Sequence, residues 1–220
     1  MQLRSDFSKR AVVRPQDYQW VPSPAGGVER MMLDRIGDEV ARATTIVRFA
    51  PGSNFDAHTH GGGEEFFVLD GVFSDETGDF PAGSYVRNPI GTSHTPRTEH
   101  GCTIFVKLHQ FDDADRDQKH IDANSAAFEA GEAPGVSVLP LHHTDGEEVI
   151  LIRFEPGAGL GGQGHPGGTE ILVLEGSLQD ECDNYPKGSW LRLPPGFPHA
   201  PSSENGCLIY RKTGHLAKAT

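Results

Sequence analysis

Cysteine is scarce in this 220-residue chain. Cys102, Cys182 and Cys207 are an odd number, and no two stand in a Cys-x-x-Cys spacing. A disulfide framework is therefore not expected. Basic residues are few as well: Lys and Arg number 19 against 31 Asp and Glu, a formal net charge of -12, with no Lys/Arg-rich run. Such a chain repels phosphate backbones, which removes direct nucleic-acid binding from the expected functions. No apolar run approaches the ~20 residues that span a bilayer. The stretch Met1-Gln2-Leu3-Arg4-Ser5-Asp6-Phe7 lacks the apolar core of a signal peptide. A soluble cytoplasmic protein with no membrane contact is the expectation.

Long uninterrupted segments are missing too. Gly (27) and Pro (16) together make up near one residue in five, against about 12% in an average composition. This argues against long helices, bundles and coiled coils, and for many short strands joined by turns. Apolar runs such as Glu65-Phe66-Phe67-Val68-Leu69 and Val149-Ile150-Leu151-Ile152 recur between the turns, so the chain can build a core. Its length suits one large domain or two small ones.

Self-comparison decides between these. Shifting the chain by 105 residues aligns Arg48-Phe49 with Arg153-Phe154, and Pro51-Gly52 with Pro156-Gly157. The match runs without a gap through Gly71/Gly176, Asp75-Glu76/Asp180-Glu181, His94/His199 and Cys102/Cys207 to Lys107/Lys212, with roughly 26 identities over about 60 positions. Two copies of one fold follow. The expected organisation is 1–108, an acidic Ala-rich linker at 109–134, and 135–220. Strands are expected at Thr44–Phe49, Glu65–Leu69 and Thr103–Lys107, and at Val149–Phe154, Ile171–Leu174 and Leu208–Lys212, from their short length and β-branched and aromatic content. Asp145-Gly146 reads as a hairpin turn, with Ile36-Gly37-Asp38-Glu39 as its counterpart. Ser125–Ala130 reads as one helical turn in the linker. Cys102 and Cys207 fall on equivalent apolar strands and read as buried core residues.

The chemistry concentrates in the first copy. Gly52, five residues, His58-Thr59-His60, three residues, Glu64, six residues and Gly71 form one pattern. Gly83, five residues, Pro89-Ile90-Gly91, two residues and His94 form the next. Residues two apart on a strand share a face, so His58 and His60 can aim at one point. The Gly61-Gly62-Gly63 turn can bring Glu64 in from the following strand, and His94 can arrive from a third. Three imidazoles and a carboxylate suit a divalent Zn, Fe, Mn, Ni or Cu ion with coordination positions left open. Glu65 alternates to the other face and reads as a structural or solvent-facing carboxylate. In the second copy Gln163 replaces His58 and Thr169 replaces Glu64, leaving His165 and His199. A metal-free structural or ligand-binding barrel is expected there. His142-His143 are strand neighbours facing oppositely, so no joint site is expected.

The pattern G-x(5)-H-x-H-x(3)-E-x(6)-G followed by G-x(5)-P-x-G-x(2)-H resembles the two cupin motifs, and its repetition resembles a bicupin. Locally, Ser23-Pro24-Ala25-Gly26-Gly27-Val28-Glu29-Arg30, His58-Thr59-His60-Gly61-Gly62-Gly63-Glu64-Glu65 and Gly91-Thr92-Ser93-His94 are similar to the cupin domain of ChrR-type anti-sigma factors. The resemblance implies an all-β fold of two tandem jelly-roll barrels, with His58, His60, Glu64 and His94 as ligands to one divalent ion. Zinc is favoured, with iron, nickel or manganese as alternatives. It also implies a regulator that senses oxidants or small ligands, with a sigma factor as the partner in view. The residues before Trp20 hold no His or Cys, so the family's separate sigma-binding zinc module is expected to be absent. The other expectation is a cupin metalloenzyme, such as a dioxygenase acting on a diketone or flavonol-like substrate. Asp70, Asp75 and Glu76 are acid/base candidates by vicinity alone. Asp75-Glu76 recurs as Asp180-Glu181 where the ligands are lost, which favours a structural role. Exposed sheet edges make a homodimer the expected assembly.

Overall fold

The computed structural model describes residues 1–38, 40–144 and 146–217. It is built almost wholly of antiparallel strands, and the described residues contain a single 3-10 turn, Pro15–Asp17, and no α-helix. The chain divides into two compact units. Each is a jelly-roll barrel.

The first unit comprises Met1–Ser5 and Gln19–Ala126. Its main sheet runs Gln2–Leu3, Val28–Gly37, Ala41–Phe49, Cys102–Leu108, Glu64–Asp75, Ser84–Asn88 and Lys119–Asp122 in spatial order. A small second sheet pairs His58–Thr59 with Ser93–His94. The three strands expected in this copy lie inside the longer ones Ala41–Phe49, Glu64–Asp75 and Cys102–Leu108. Phe49, Phe66, Phe73 and Phe80 pack with Val68, Val86, Ile104 and Val106 in the barrel interior. On the opposite face Glu65 is buried and accepts bonds from Arg87 and Tyr85. Glu65 is therefore structural, and the solvent-facing alternative is set aside.

The second unit comprises Asp6–Tyr18 and Ala127–Thr220. Its sheet runs Glu129–Ala130, Val136–Thr144, Glu147–Phe154, Cys207–Thr213, Thr169–Gln179, Trp190–Leu193 and Ala11–Val13. Its interior holds Ile150, Ile152, Ile171, Val173, Leu191 and Ile209. Here the small sheet is Ala158–Gly159 with Ser202–Ser203. The pairing that sets His58 opposite His94 has no counterpart among the described residues, since Gly161, Gly162 and Gly164 interrupt the equivalent segment.

Duplicated turns explain much of the glycine. Gly71 (φ 70°) and Gly176 (φ 69°) occupy the left-handed region, and a Cβ there would collide with the carbonyls of Gly101 and Gly206. Both copies carry a strand irregularity just before them, between Thr103 and Ile104 and between Val173 and Glu175. The acidic stretch 109–134 carries strands of its own. Lys119–Asp122 extends the first sheet and Glu129–Ala130 pairs with Ser137 and Val138. The helical turn expected at Ser125–Ala130 is not formed. Asp122 instead caps a tight turn through Asn124 and Ser125, the local alternative that Asp side chains offer the backbone. Thr144 lies opposite Glu147 and Gly37 opposite Ala41, closing both expected hairpins; Asp145 and Glu39 lie outside the described residues. Cys102 and Cys207 are buried, Cys182 is exposed, and all three are free. Among the described residues no helix is long and apolar enough to cross a membrane.

Candidate metal centre

His58 and His94 face each other across the two-residue pairing. His60 follows one step on, held by its amide to the Thr92 carbonyl (2.9 Å), while the Gly91 amide returns to the His60 carbonyl (3.0 Å). Glu64 starts the next strand after Gly63 (φ 76°), where the chain reverses. The three imidazole centroids lie 5.3, 4.8 and 4.6 Å apart. One ligand atom from each of His58, His60, Glu64 and His94 falls within 4.8 Å of all the others. Among the described residues this is the one group of three or more His, Cys, Asp or Glu so arranged.

Hydrogen bonds fix which nitrogen each ring presents. The Nδ1 of His58 faces the Asp56 carbonyl at 3.1 Å, and a carbonyl can only accept. The Nδ1 of His60 lies 2.8 Å from the Thr92 hydroxyl, whose own proton goes to the Pro89 carbonyl at 2.7 Å. The Nδ1 of His94 meets the Asp75 carboxylate at 3.2 Å. In all three, Nδ1 carries a proton, which leaves Nε2 as the ring nitrogen free to ligate. The Nε2 atoms of His60 and His94 are buried without a hydrogen-bond partner, and point at Glu64 Oε1 from 3.5 and 3.4 Å. Buried, unbonded lone pairs converging on a carboxylate suit a divalent cation. His58 is exposed, so the cluster opens to solvent on its side.

Electrostatics agree with that reading. Burial lowers the His60 pKa to about 4, helped by the neighbouring His94 and His58 charges. Burial likewise lowers His94, against the opposing pull of its bond to Asp75. Burial raises Glu64 to about 7, opposed by a bond from Asn88. The bare cluster thus favours uncharged side chains. It would recover full ligand strength only beside a cation.

The sequence motif did not single out the groups behind these ligands. Asp75 orients His94, and Thr92 orients His60. Asn88 reaches Glu64 at 3.5 Å and is itself met by Gln118 at 3.4 Å. Such partners set ring orientation and ligand basicity. The recurrence of Asp75 as Asp180 did carry the signal, since each carboxylate meets the matching histidine. Asp70 and Glu76 make no contact with the ligand atoms in this set, and Glu76 instead accepts the Thr95 amide.

Among the described residues the second barrel gathers no such group. Gln163 is exposed. The Nδ1 of His165 accepts the Gly167 amide (3.1 Å), which leaves the proton on Nε2. The Nε2 of His199 lies 3.3 Å from Asp180 Oδ2. His142 is buried and His143 exposed, facing oppositely as their adjacency requires.

A family model described as "ChrR Cupin-like domain" matches residues 8–112 and again 116–217. No curated protein matches the chain significantly. Solved structures do. A putative dioxygenase from Nostoc punctiforme superposes with TM-score 0.72 at 13% identity, over 99% of this chain and 83% of its own. A putative glyoxylate-induced protein from Pseudomonas aeruginosa gives 0.75 at 16%, over 93% and 87%. A bacterial pirin from Escherichia coli in complex with nickel(II) gives 0.67 at 12%, over 93% and 98%. At such identities the likeness shows the fold alone.

Proposed function

The chain belongs to the ChrR cupin-like family, and from that premise we propose that it is a metal-dependent sensor of small ligands or oxidants. The first barrel binds one divalent ion through His58, His60, Glu64 and His94; the second binds none. The observation that carries this reading is the convergence of the buried, unpartnered Nε2 atoms of His60 and His94 on the Glu64 carboxylate, with exposed His58 completing the cluster on its open side. When bound, the ion supplies Lewis acidity and an exchangeable coordination position. The chain's own residues do the rest. Asp75 and Thr92 hold the imidazole rings in the tautomer that ligates, and Asn88 steadies Glu64. A cavity of about 290 Å³ beside His94, walled by Phe80, Asn88 and Ser93, offers room for a small molecule.

Zinc is the favoured metal, and the signal passes to a protein partner, a sigma factor being the first to test. The open side at His58 also supports a second reading, a dioxygenase using the same ligands. Elemental analysis of protein purified without chelator or affinity tag, followed by oxygen-electrode assays, separates the two. Zinc with no oxygen uptake on diketones or flavonols supports the sensor. Iron with substrate-dependent uptake replaces it with the enzyme.

A further inference from the structure

The second barrel kept its turns and lost its ligands, yet its interior is not filled. A cavity of about 630 Å³ is lined wholly by residues of that unit, His165, His199 and Arg211 among them. This falls in the range of small-molecule sites. Register shows how its chemistry changed. Arg211 pairs with Ile171 as Val106 pairs with Phe66, and Glu148 pairs with Thr213 as Ala43 pairs with Leu108. Arg211 and Glu148 therefore stand where the first copy has Val106 and Ala43. Thr169 stands where it has the carboxylate of Glu64.

The wall of this cavity has exchanged an anionic ligand for a permanent cation, a guanidinium side chain that is 27% exposed. Arg211 gives one NH2 bond to Glu148 (2.9 Å), but its Nε is buried and without a partner. An aliphatic position replaced by a guanidinium with an unused buried donor is costly unless something accepts from it. We propose that the second barrel is a separate, metal-free receptor for a small organic monocarboxylate, anchored by Arg211. One carboxylate, rather than two or a phosphate, is specified because Glu148 already neutralises part of the guanidinium and Glu132 adds a negative charge to the wall. Burial and the Arg211 charge both lower the His165 pKa, so His165 adds no second cation. An apolar body is specified by a second cavity of about 310 Å³ that shares Arg211 and Glu148 and is walled by Val136, Val138, Ile150 and Leu160. Neither cavity includes a ligand of the metal centre.

The test is calorimetric titration of the full chain with butyrate and benzoate, beside butyramide and benzamide as uncharged matches. At least one carboxylate should bind saturably, at least tenfold tighter than its amide. Arg211→Gln should weaken that binding at least tenfold, and Glu148→Gln should strengthen it several-fold by releasing the guanidinium. His94→Ala, which acts in the other barrel, should leave it unchanged. Carboxylate and amide binding alike overturns the proposal, as does no binding at tens of millimolar. Loss in His94→Ala overturns it too, since the acid would then sit on the metal. Should Arg211→Gln fail to fold, unchanged or weaker binding by Glu148→Gln contradicts the proposal by itself.

Discussion

Glu64 and Glu65 are adjacent in the chain and do opposite work. Alternation sends Glu64 into the barrel beside three imidazoles and Glu65 to the far face against Arg87 and Tyr85. Glu64→Gln should remove the only anionic ligand, so that metal is lost on dialysis while the fold survives. Glu65→Gln should keep the metal and cost about 3 kcal/mol of stability, because Arg87 would lose a fully buried carboxylate partner. Metal assay and urea melts on both variants check this, and a reversed pattern would show that the faces are misassigned. Asp75 acts at one remove. Asp75→Asn should leave one metal site per chain but weaken it by about 10–100-fold, the usual cost of losing a ligand's orienting partner. A competition titration against a chromogenic chelator reads that change; an unaltered affinity would leave the His94–Asp75 contact without a role. Of these residues the cluster of His58, His60, Glu64 and His94 was legible, because strand alternation and the turn between the strands bring the four side chains to one point. Thr92 and Asn88 were not, because an orienting contact depends on strand pairing that spacing does not reveal, and Asp75 was marked only by vicinity and by its recurrence as Asp180.

The strands expected from apolar runs are present in both barrels, each longer than its run. Very short strands escaped. Lys119–Asp122 and Ala11–Val13 each close one edge of a sheet, yet three or four residues carry too little alternation to stand out. The 109–134 stretch therefore read as a linker. The repeat also placed the cysteines. Cys102 and Cys207 open equivalent strands, and burial raises both thiols, Cys102 to about 11. A thiol with so high a pKa is only about one part in a thousand thiolate at pH 8. One fast-reacting thiol, Cys182, is expected with a disulfide reagent at that pH, and three after denaturation. Three fast thiols in the native protein would contradict the burial of these strands.

At the scale of the whole chain, two copies of one scaffold have diverged in what they hold. The first concentrates three imidazoles and a carboxylate; the second carries Arg211, Glu148 and an open cavity. The glycines and prolines that mark the turns are shared, which is why the fold could be read from composition and repetition. The difference lies in a few cavity-facing positions, and the sequence disclosed only the missing histidine and glutamate, because Arg211 in a strand looks like any surface arginine until register and the cavity place it on the wall. Metal removal by EDTA should therefore raise hydrogen exchange in peptides spanning His58–Glu64 and Ser93–His94, and leave 163–199 unchanged. Equal effects in both would mean the second barrel also holds metal. The account stands most directly on metal stoichiometry, measured by elemental analysis on wild type, His94→Ala and His199→Ala. It predicts one ion per chain, lost in His94→Ala and retained in His199→Ala. Two ions in the wild type, or one that survives His94→Ala, would contradict it.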